Sequence, residues 1–214
     1  MKSRNIWPIV GLVSLVVVAL AAATVVYRRS QDKDLAQASV AEKLVRPYSP
    51  SMGPADAPVT IVEFLDPECE ACRAMAPIVK RVVADFPGKV RLVVRYMPFH
   101  GNSALAASLL EGAREQGKYW EALDRLFELQ PEWGSHDNPR AERIAEILVE
   151  MGLDKARLED AVRSGRHAQK IEQDRADGME LGVRATPSFF VNGTLLRDLG
   201  YEPLRAAVEA SLRR

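Results

Sequence analysis

Hydrophobic positions change their spacing several times along this chain, and each change marks an element. Ile6 to Tyr27 runs for 22 positions without a charge, long enough as a helix to cross a bilayer core. The stretch from Ser30 to Ala57 is polar and proline-bearing, with a short helical pattern over Leu35 to Val45, and reads as a tether. Two β-branched and aromatic runs follow, Val59–Leu65 and Val90–Tyr96, apolar enough to predict buried strands. Between them Met75, Ile78, Val79, Val82, Val83 and Phe86 recur at three- and four-residue intervals, which predicts a helix ended by Pro87-Gly88.

From about residue 102 to 182 the pattern is helical throughout. Asn102-Ser103 caps a helix that stops at Gly117, and Trp120, Leu123 and Phe127 give a second stripe ending before Pro131. Glu132 to Asn138 reads as a loop. Ile144, Ile147, Leu148 and Met151 form a third stripe ended by Gly152, Asp154 caps a fourth helix through Val162, and a fifth spans about Arg166 to Leu181. Asn192-Gly193, set between Phe189-Phe190-Val191 and Thr194-Leu195-Leu196, is a two-residue hairpin signal. Leu204, Val208 and Leu212 then mark a closing helix from Glu202 to Leu212. The order of strands and helices predicts an α/β domain over residues 58–214 that holds a helical insertion at about 102–182, after an anchor at 1–29 and a linker at 30–57.

Charge changes the picture only at the N-terminus. The 214 residues balance 29 Lys and Arg against 29 Asp and Glu, yet residues 1 to 29 hold four basic residues and no acid. The remainder is therefore mildly acidic and offers no basic stripe for nucleic acid. Secretory signals have shorter apolar regions than Ile6 to Tyr27, which favours an uncleaved anchor. The small-residue sites Ala19-Leu20-Ala21 and Ala21-Ala22-Ala23 leave a cleaved signal as the alternative. Lys2 and Arg4 on one flank are matched by Arg28, Arg29 and Lys33 on the other, so flanking charge does not set topology.

Candidate chemistry sits where the first strand hands over to the first helix. Cys69 and Cys72 are the two cysteines of the chain, in the order Cys69-Glu70-Ala71-Cys72. A thiol attacks a disulfide only as its thiolate. The unpaired N–H groups and dipole of a helix N-terminus stabilise such an anion at Cys69, while Cys72, one turn inside, is placed as the buried resolving thiol. Glu68 and Glu70 oppose the anion and Arg73 favours it; with Ala71 these residues tune the couple. No histidine stands between the cysteines, and the charges place the couple at roughly −150 to −250 mV. Three other readings compete. A structural disulfide across two residues constrains the unfolded chain little. A zinc site needs about four ligands, and His100, His136 and His167 are scattered. Two incidental buried cysteines remain the third. His100 itself, after Met97-Pro98-Phe99, reads mainly as a loop residue satisfying a carbonyl, with a place near the site as the alternative.

These residues together resemble the DsbA-like branch of the thioredoxin-fold disulfide oxidoreductases, which act outside the bacterial cytoplasm. Pro77, eight residues after Cys69, stands where that superfamily carries a helix-kinking proline. Glu63, six residues before Cys69, matches the acid held beneath the second cysteine, which takes its proton as a general base. The segment from Val183 to Gly193, with Thr186-Pro187, resembles the loop whose cis-proline faces the dithiol and whose Thr backbone pairs with an extended substrate. The resemblance implies a thioredoxin fold with a helical insertion, acting outside the bacterial cytoplasm; with the transmembrane helix read from Ile6 to Tyr27, and a redox pair that suits the oxidising side, the expectation is an enzyme anchored in the bacterial inner membrane with its catalytic domain in the periplasm. It implies a protein oxidase for cysteine-bearing unfolded or extended substrates, reset by a membrane redox partner and needing no cofactor and no metal. A reductase or isomerase of the same fold, or a tethered metal-binding or chaperone-like module, are the alternatives.

Overall fold

The computed structural model describes the backbone of residues 7–135 and 137–213, and the side chains of these residues apart from 7–22 and Asp34. The chain divides into two units, the first ending at Glu42 and the second running from Lys43 to Arg214. The first unit is carried by helix α1, Trp7–Leu44. Among the described residues no helix is long and apolar enough to cross a membrane. The membrane span expected over Ile6 to Tyr27 lies, as far as Ala22, outside the residues whose side chains are described.

The second unit is built on a five-stranded sheet. Its strands are β1 (Ser51–Met52), β2 (Val59–Leu65), β3 (Val90–Tyr96), β4 (Ser188–Val191) and β5 (Thr194–Leu195), in the order β1-β3-β2-β4-β5. β2 and β3 are parallel from Val59↔Val90 to Leu65↔Tyr96 and are joined by helix α2, Glu70–Asp85. β4 runs antiparallel to β2, placing Glu63 opposite Phe189, and β5 follows through the Asn192-Gly193 turn. Both turn residues have positive φ, 44° and 82°, the conformation that a tight hairpin requires.

Among the described residues, six helices interrupt the chain between β3 and β4: α3 (Ser103–Arg114), α4 (Tyr119–Glu128), α5 (Gln130–Trp133), α6 (Ala141–Glu150), α7 (Lys155–Arg163) and α8 (Ala168–Glu180); α9 (Tyr201–Leu212) closes the domain. The expected loop at Glu132 to Asn138 begins instead with a helical turn. Trp133 drives it, because the ring is fully buried and its Nε1 donates to the Leu126 carbonyl at 2.9 Å. One apolar cluster joins Ile61, Phe189, Val79, Val82 and Val208 from β2, β4, α2 and α9. Another joins Leu65, Cys72 and Val94 to Leu110, Leu126, Ile147 and Leu158 of the inserted helices. Active-site loop and helical lobe therefore share one core.

Residues 43–57 belong to this unit rather than to a tether. Ser51–Met52 pairs with β3, and Arg46 and Tyr48 reach α8 through Asp177 at 2.8 Å and Asp174 at 3.0 Å. The same two acids hold Arg95, which is fully enclosed, Asp177 at 2.6 Å and Asp174 at 2.7 Å. A polar segment can thus be structural when its charges find buried partners far along the chain, which no local pattern reveals. α8 also packs closely: a Cβ on Gly178 would lie 2.9 Å from the Met97 sulfur and 3.0 Å from the Phe64 ring.

Candidate active site

Cys69 stands at the N-cap of α2 with extended backbone, φ −75° and ψ 122°. Its sulfur faces the free N–H groups of the first helical turn, the arrangement that a helix N-terminus offers an anion. Backbone N–H groups of Ala71 and Cys72 stabilise the anion. Cys69 is 8% exposed and Cys72 is fully buried, and both are free thiols. Hydrogen bonding from the Cys72 thiol lowers the Cys69 pKa to about 5, against the opposing effect of burial, with further help from the Thr186 side chain. Burial first, and then the same thiol pair, push Cys72 far up. The asymmetry separates a leaving and attacking sulfur from one that stays protonated. It also follows the two positions, since only Cys69 lies at the helix mouth.

The Thr186–Pro187 peptide bond is cis. It brings the Thr186 carbonyl oxygen to 3.3 Å from the Cys69 sulfur, so the loop before β4 and the start of α2 form the two sides of one site. Pro187 is buried and Thr186 half-buried. Glu63 is 5% exposed on the central strand β2. Burial, reinforced by the charge on Cys69, pushes its carboxyl up to about 8, and its charge in turn raises Cys72. A carboxyl with that pKa exchanges protons near neutral pH. Pro77 lies inside α2.

The remaining expected tuning residues divide. Glu70 and Ala71 are exposed and Arg73 half-buried on the first turn of α2. Glu68 is buried and turned away from the thiol toward α3, accepting from the Asn102 backbone N–H at 2.6 Å and its side-chain amide at 3.0 Å. Asn102 therefore does not cap α3 with its own side chain; Glu68 serves that helix end from outside, a favourable place for a carboxylate.

Two residues of the site, Asp66 and Gln130, were not assigned a role from sequence, and a third, His100, takes the place near the site that was its alternative reading. Asp66, the residue directly after β2, is fully buried and gathers the β3–α3 loop: its carboxylate accepts from the N–H groups of Glu68, Phe99 and His100 at 2.8, 2.7 and 3.2 Å and from the Ser103 hydroxyl. Its own N–H lies 3.5 Å from the Cys72 sulfur. His100 bonds the Asp66 carboxylate through Nδ1 at 2.7 Å. Gln130 of α5, 2% exposed, donates its amide to the carbonyls of Pro67 and Cys69 at 2.9 and 3.2 Å, bracing the reactive turn from the helical lobe. The Asp-Pro pair was the available signal for Asp66; nothing local marks Gln130. Among the described residues no group of three or more His, Cys, Asp or Glu is placed to hold a metal ion.

Residues 46–210 match the family model described as thioredoxin. A solved structure of a thioredoxin-like oxidoreductase from Silicibacter pomeroyi DSS-3 is 31% identical, with a TM-score of 0.71 over 81% of this chain and 98% of that one. The probable disulfide bond formation protein D of Bacillus anthracis is 29% identical over the full length of both. The Na(+)/H(+) antiporter NhaA of Herminiimonas arsenicoxydans is 35% identical over 75% of this chain, which spans 25% of that relative. The first curated relatives are antiporters of this kind, and the chain spans about a quarter or less of their length.

Proposed function

The chain belongs to the thioredoxin family, and from that premise we propose that it is a DsbA-like thiol:disulfide oxidoreductase that oxidises cysteine-bearing protein substrates. The observation that carries the reading is the Cys69 sulfur at the mouth of α2, with its pKa lowered to about 5 and the Thr186 carbonyl 3.3 Å away. In the oxidised enzyme a substrate thiolate attacks the Cys69 sulfur of the Cys69–Cys72 disulfide, and Cys72 leaves with the electron pair. Cys72 is strongly disfavoured as an anion, so it takes a proton from Glu63, which is held at about 8. A second substrate thiolate attacks the substrate sulfur of the mixed disulfide and releases Cys69 as a thiolate. Two substrate thiols become one disulfide, and the enzyme is left as the dithiol.

Direction follows from the leaving group. A low-pKa Cys69 leaves readily and stabilises the reduced enzyme, which makes the couple oxidising. A value of about 5 falls between the roughly 3.5 of DsbA and 7 of thioredoxin, in keeping with the window that the flanking charges gave. Thr186 and Pro187 hold the backbone of an extended substrate against the dithiol, and Glu70, Ala71 and Arg73 adjust the thiolate from the first turn of α2. The uncharged run from Ile6 to Tyr27 anchors the protein in the bacterial inner membrane, with the domain on the oxidising, periplasmic side. A membrane redox partner then returns the dithiol to the disulfide.

Replacing Cys72 by Ala removes the resolving thiol, so substrates should accumulate as mixed disulfides through Cys69, separable on non-reducing gels. A module that only binds metal or holds unfolded chains would trap none. Recovery of the wild-type protein from cells mainly as the disulfide supports oxidation, whereas recovery mainly as the dithiol would assign the electron flow to a reductase or isomerase.

A further inference from the structure

Two enclosed carboxylates stand beside the reacting thiol. Asp66 is fully buried and Glu68 is 6% exposed, and an uncompensated negative charge near Cys69 would oppose its ionisation. Glu68 is met by the Asn102 amide groups and the Ser103 hydroxyl, all neutral donors. Asp66 is met by backbone N–H groups, the Ser103 hydroxyl and the imidazole of His100. Of these partners His100 is the one able to carry positive charge. Asp66 is also one hydrogen bond from the thiol's own backbone, since the Cys69 N–H donates to the Asp66 carbonyl at 3.1 Å. The imidazole thus sits one side chain away from the reactive turn, with 32% of its side chain open to solvent.

We infer that His100 is a positioning residue for disulfide exchange: as an imidazolium bound to Asp66 it neutralises the carboxylate beneath Cys69, and so favours the thiolate and the reduced form of the couple. The proposal deepens the function read above and rests on it. Burial works against the charge on His100, but the bond and attraction to Asp66, joined by Cys69 and Glu68, outweigh it and raise its pKa above the ordinary imidazole range. The groups facing His100 are therefore acidic, and its charge is retained toward neutral pH. As pH rises through its titration the compensation is lost, and the couple becomes less oxidising.

The test compares the reduced full-length protein with His100→Gln, which keeps an amide donor for Asp66 but no charge, and with His100→Lys, which restores a cation. Thiolate absorbance against pH reads the acidity of Cys69, and equilibration with glutathione reads the couple. His100→Gln should make Cys69 about tenfold less acidic, the effect of one partly screened charge at this range. The same tenfold shift toward the disulfide is about 30 mV for a two-electron couple. His100→Lys should stay within about threefold of the wild type. A His100→Gln thiolate that titrates as the wild type does would overturn the proposal, as would a His100→Lys protein displaced as far as His100→Gln, which would make imidazole packing the cause. If the wild-type protein exchanged no disulfides while the Cys69 titration still moved in His100→Gln, the functional reading would fail and the electrostatic role would stand.

Discussion

Glu63 should make the reduced protein lose stability as pH rises through neutrality. The carboxyl is 5% exposed on a central strand, and burial is the main reason its pKa stands at about 8 instead of the ordinary 4.5. Folding therefore favours the protonated form. Below pH 4.5 the group is protonated in both states and contributes nothing to the pH dependence. Above it the unfolded chain ionises freely while the folded one resists, so stability falls until the folded pKa is passed. Linkage makes the cost about 1 kcal/mol at pH 5, about 3 kcal/mol at pH 7 and about 4 kcal/mol at pH 8. Glu63→Gln keeps the size of the side chain and removes the ionisation. Urea unfolding of the reduced full-length proteins, followed by tryptophan fluorescence, should show the variant gaining on the wild type by about 3 kcal/mol between pH 5 and pH 8. Oxidising the cysteine pair removes the Cys69 anion, the second cause of the shift, so the gain should shrink. A stability difference between the two proteins that is the same at both pH values would refute the reasoning, because it would mean that Glu63 is already ionised at pH 5.

The buried cluster behind β3 should be unforgiving. Arg95→Met leaves Asp174 and Asp177 without their enclosed partner, and thermal unfolding should report a loss of about 3–5 kcal/mol; a loss under about 1 kcal/mol would show that Arg46 and Tyr48 suffice. Gly178→Ala brings a methyl group into the Met97 sulfur and Phe64 ring, with an expected cost of about 1–3 kcal/mol in the same assay.

The parts of this protein that repeat locally were readable in its sequence. Val59–Leu65 and Val90–Tyr96 were readable as strands from their β-branched and aromatic runs, and the three- and four-residue spacing of Met75 to Phe86 is that of α2. The Asn192-Gly193 turn fixed the hairpin through backbone freedom alone. What escaped depends on contacts distant in the chain. Ser51–Met52 is a strand only because β3 lies beside it, and Arg46 and Tyr48 are structural only because α8 supplies Asp177 and Asp174. Within the site, the cysteines stood out by type and spacing, and the acid on β2 and the Thr-Pro pair through the family resemblance. The direction in which Glu68 points, and the gathering of His100, Ser103 and the Phe99 backbone on Asp66, follow from how the β3–α3 loop folds over the strand end. Gln130 sits 61 residues from the carbonyl of Cys69 that it braces, a relation that no periodicity carries.

The most direct test of the central claim is the pH dependence of Cys69 alkylation. The reduced protein is treated briefly with iodoacetamide from pH 3.5 to 10, and modification at Cys69 and Cys72 is quantified separately by peptide mass spectrometry. A thiolate stabilised by the Cys72 thiol and by the N–H groups of the helix mouth predicts a Cys69 rate with its midpoint at about 5, while Cys72 stays unmodified across the range. A Cys69 midpoint at the roughly 8.5 of a free cysteine, or equal modification of the two thiols, would contradict it.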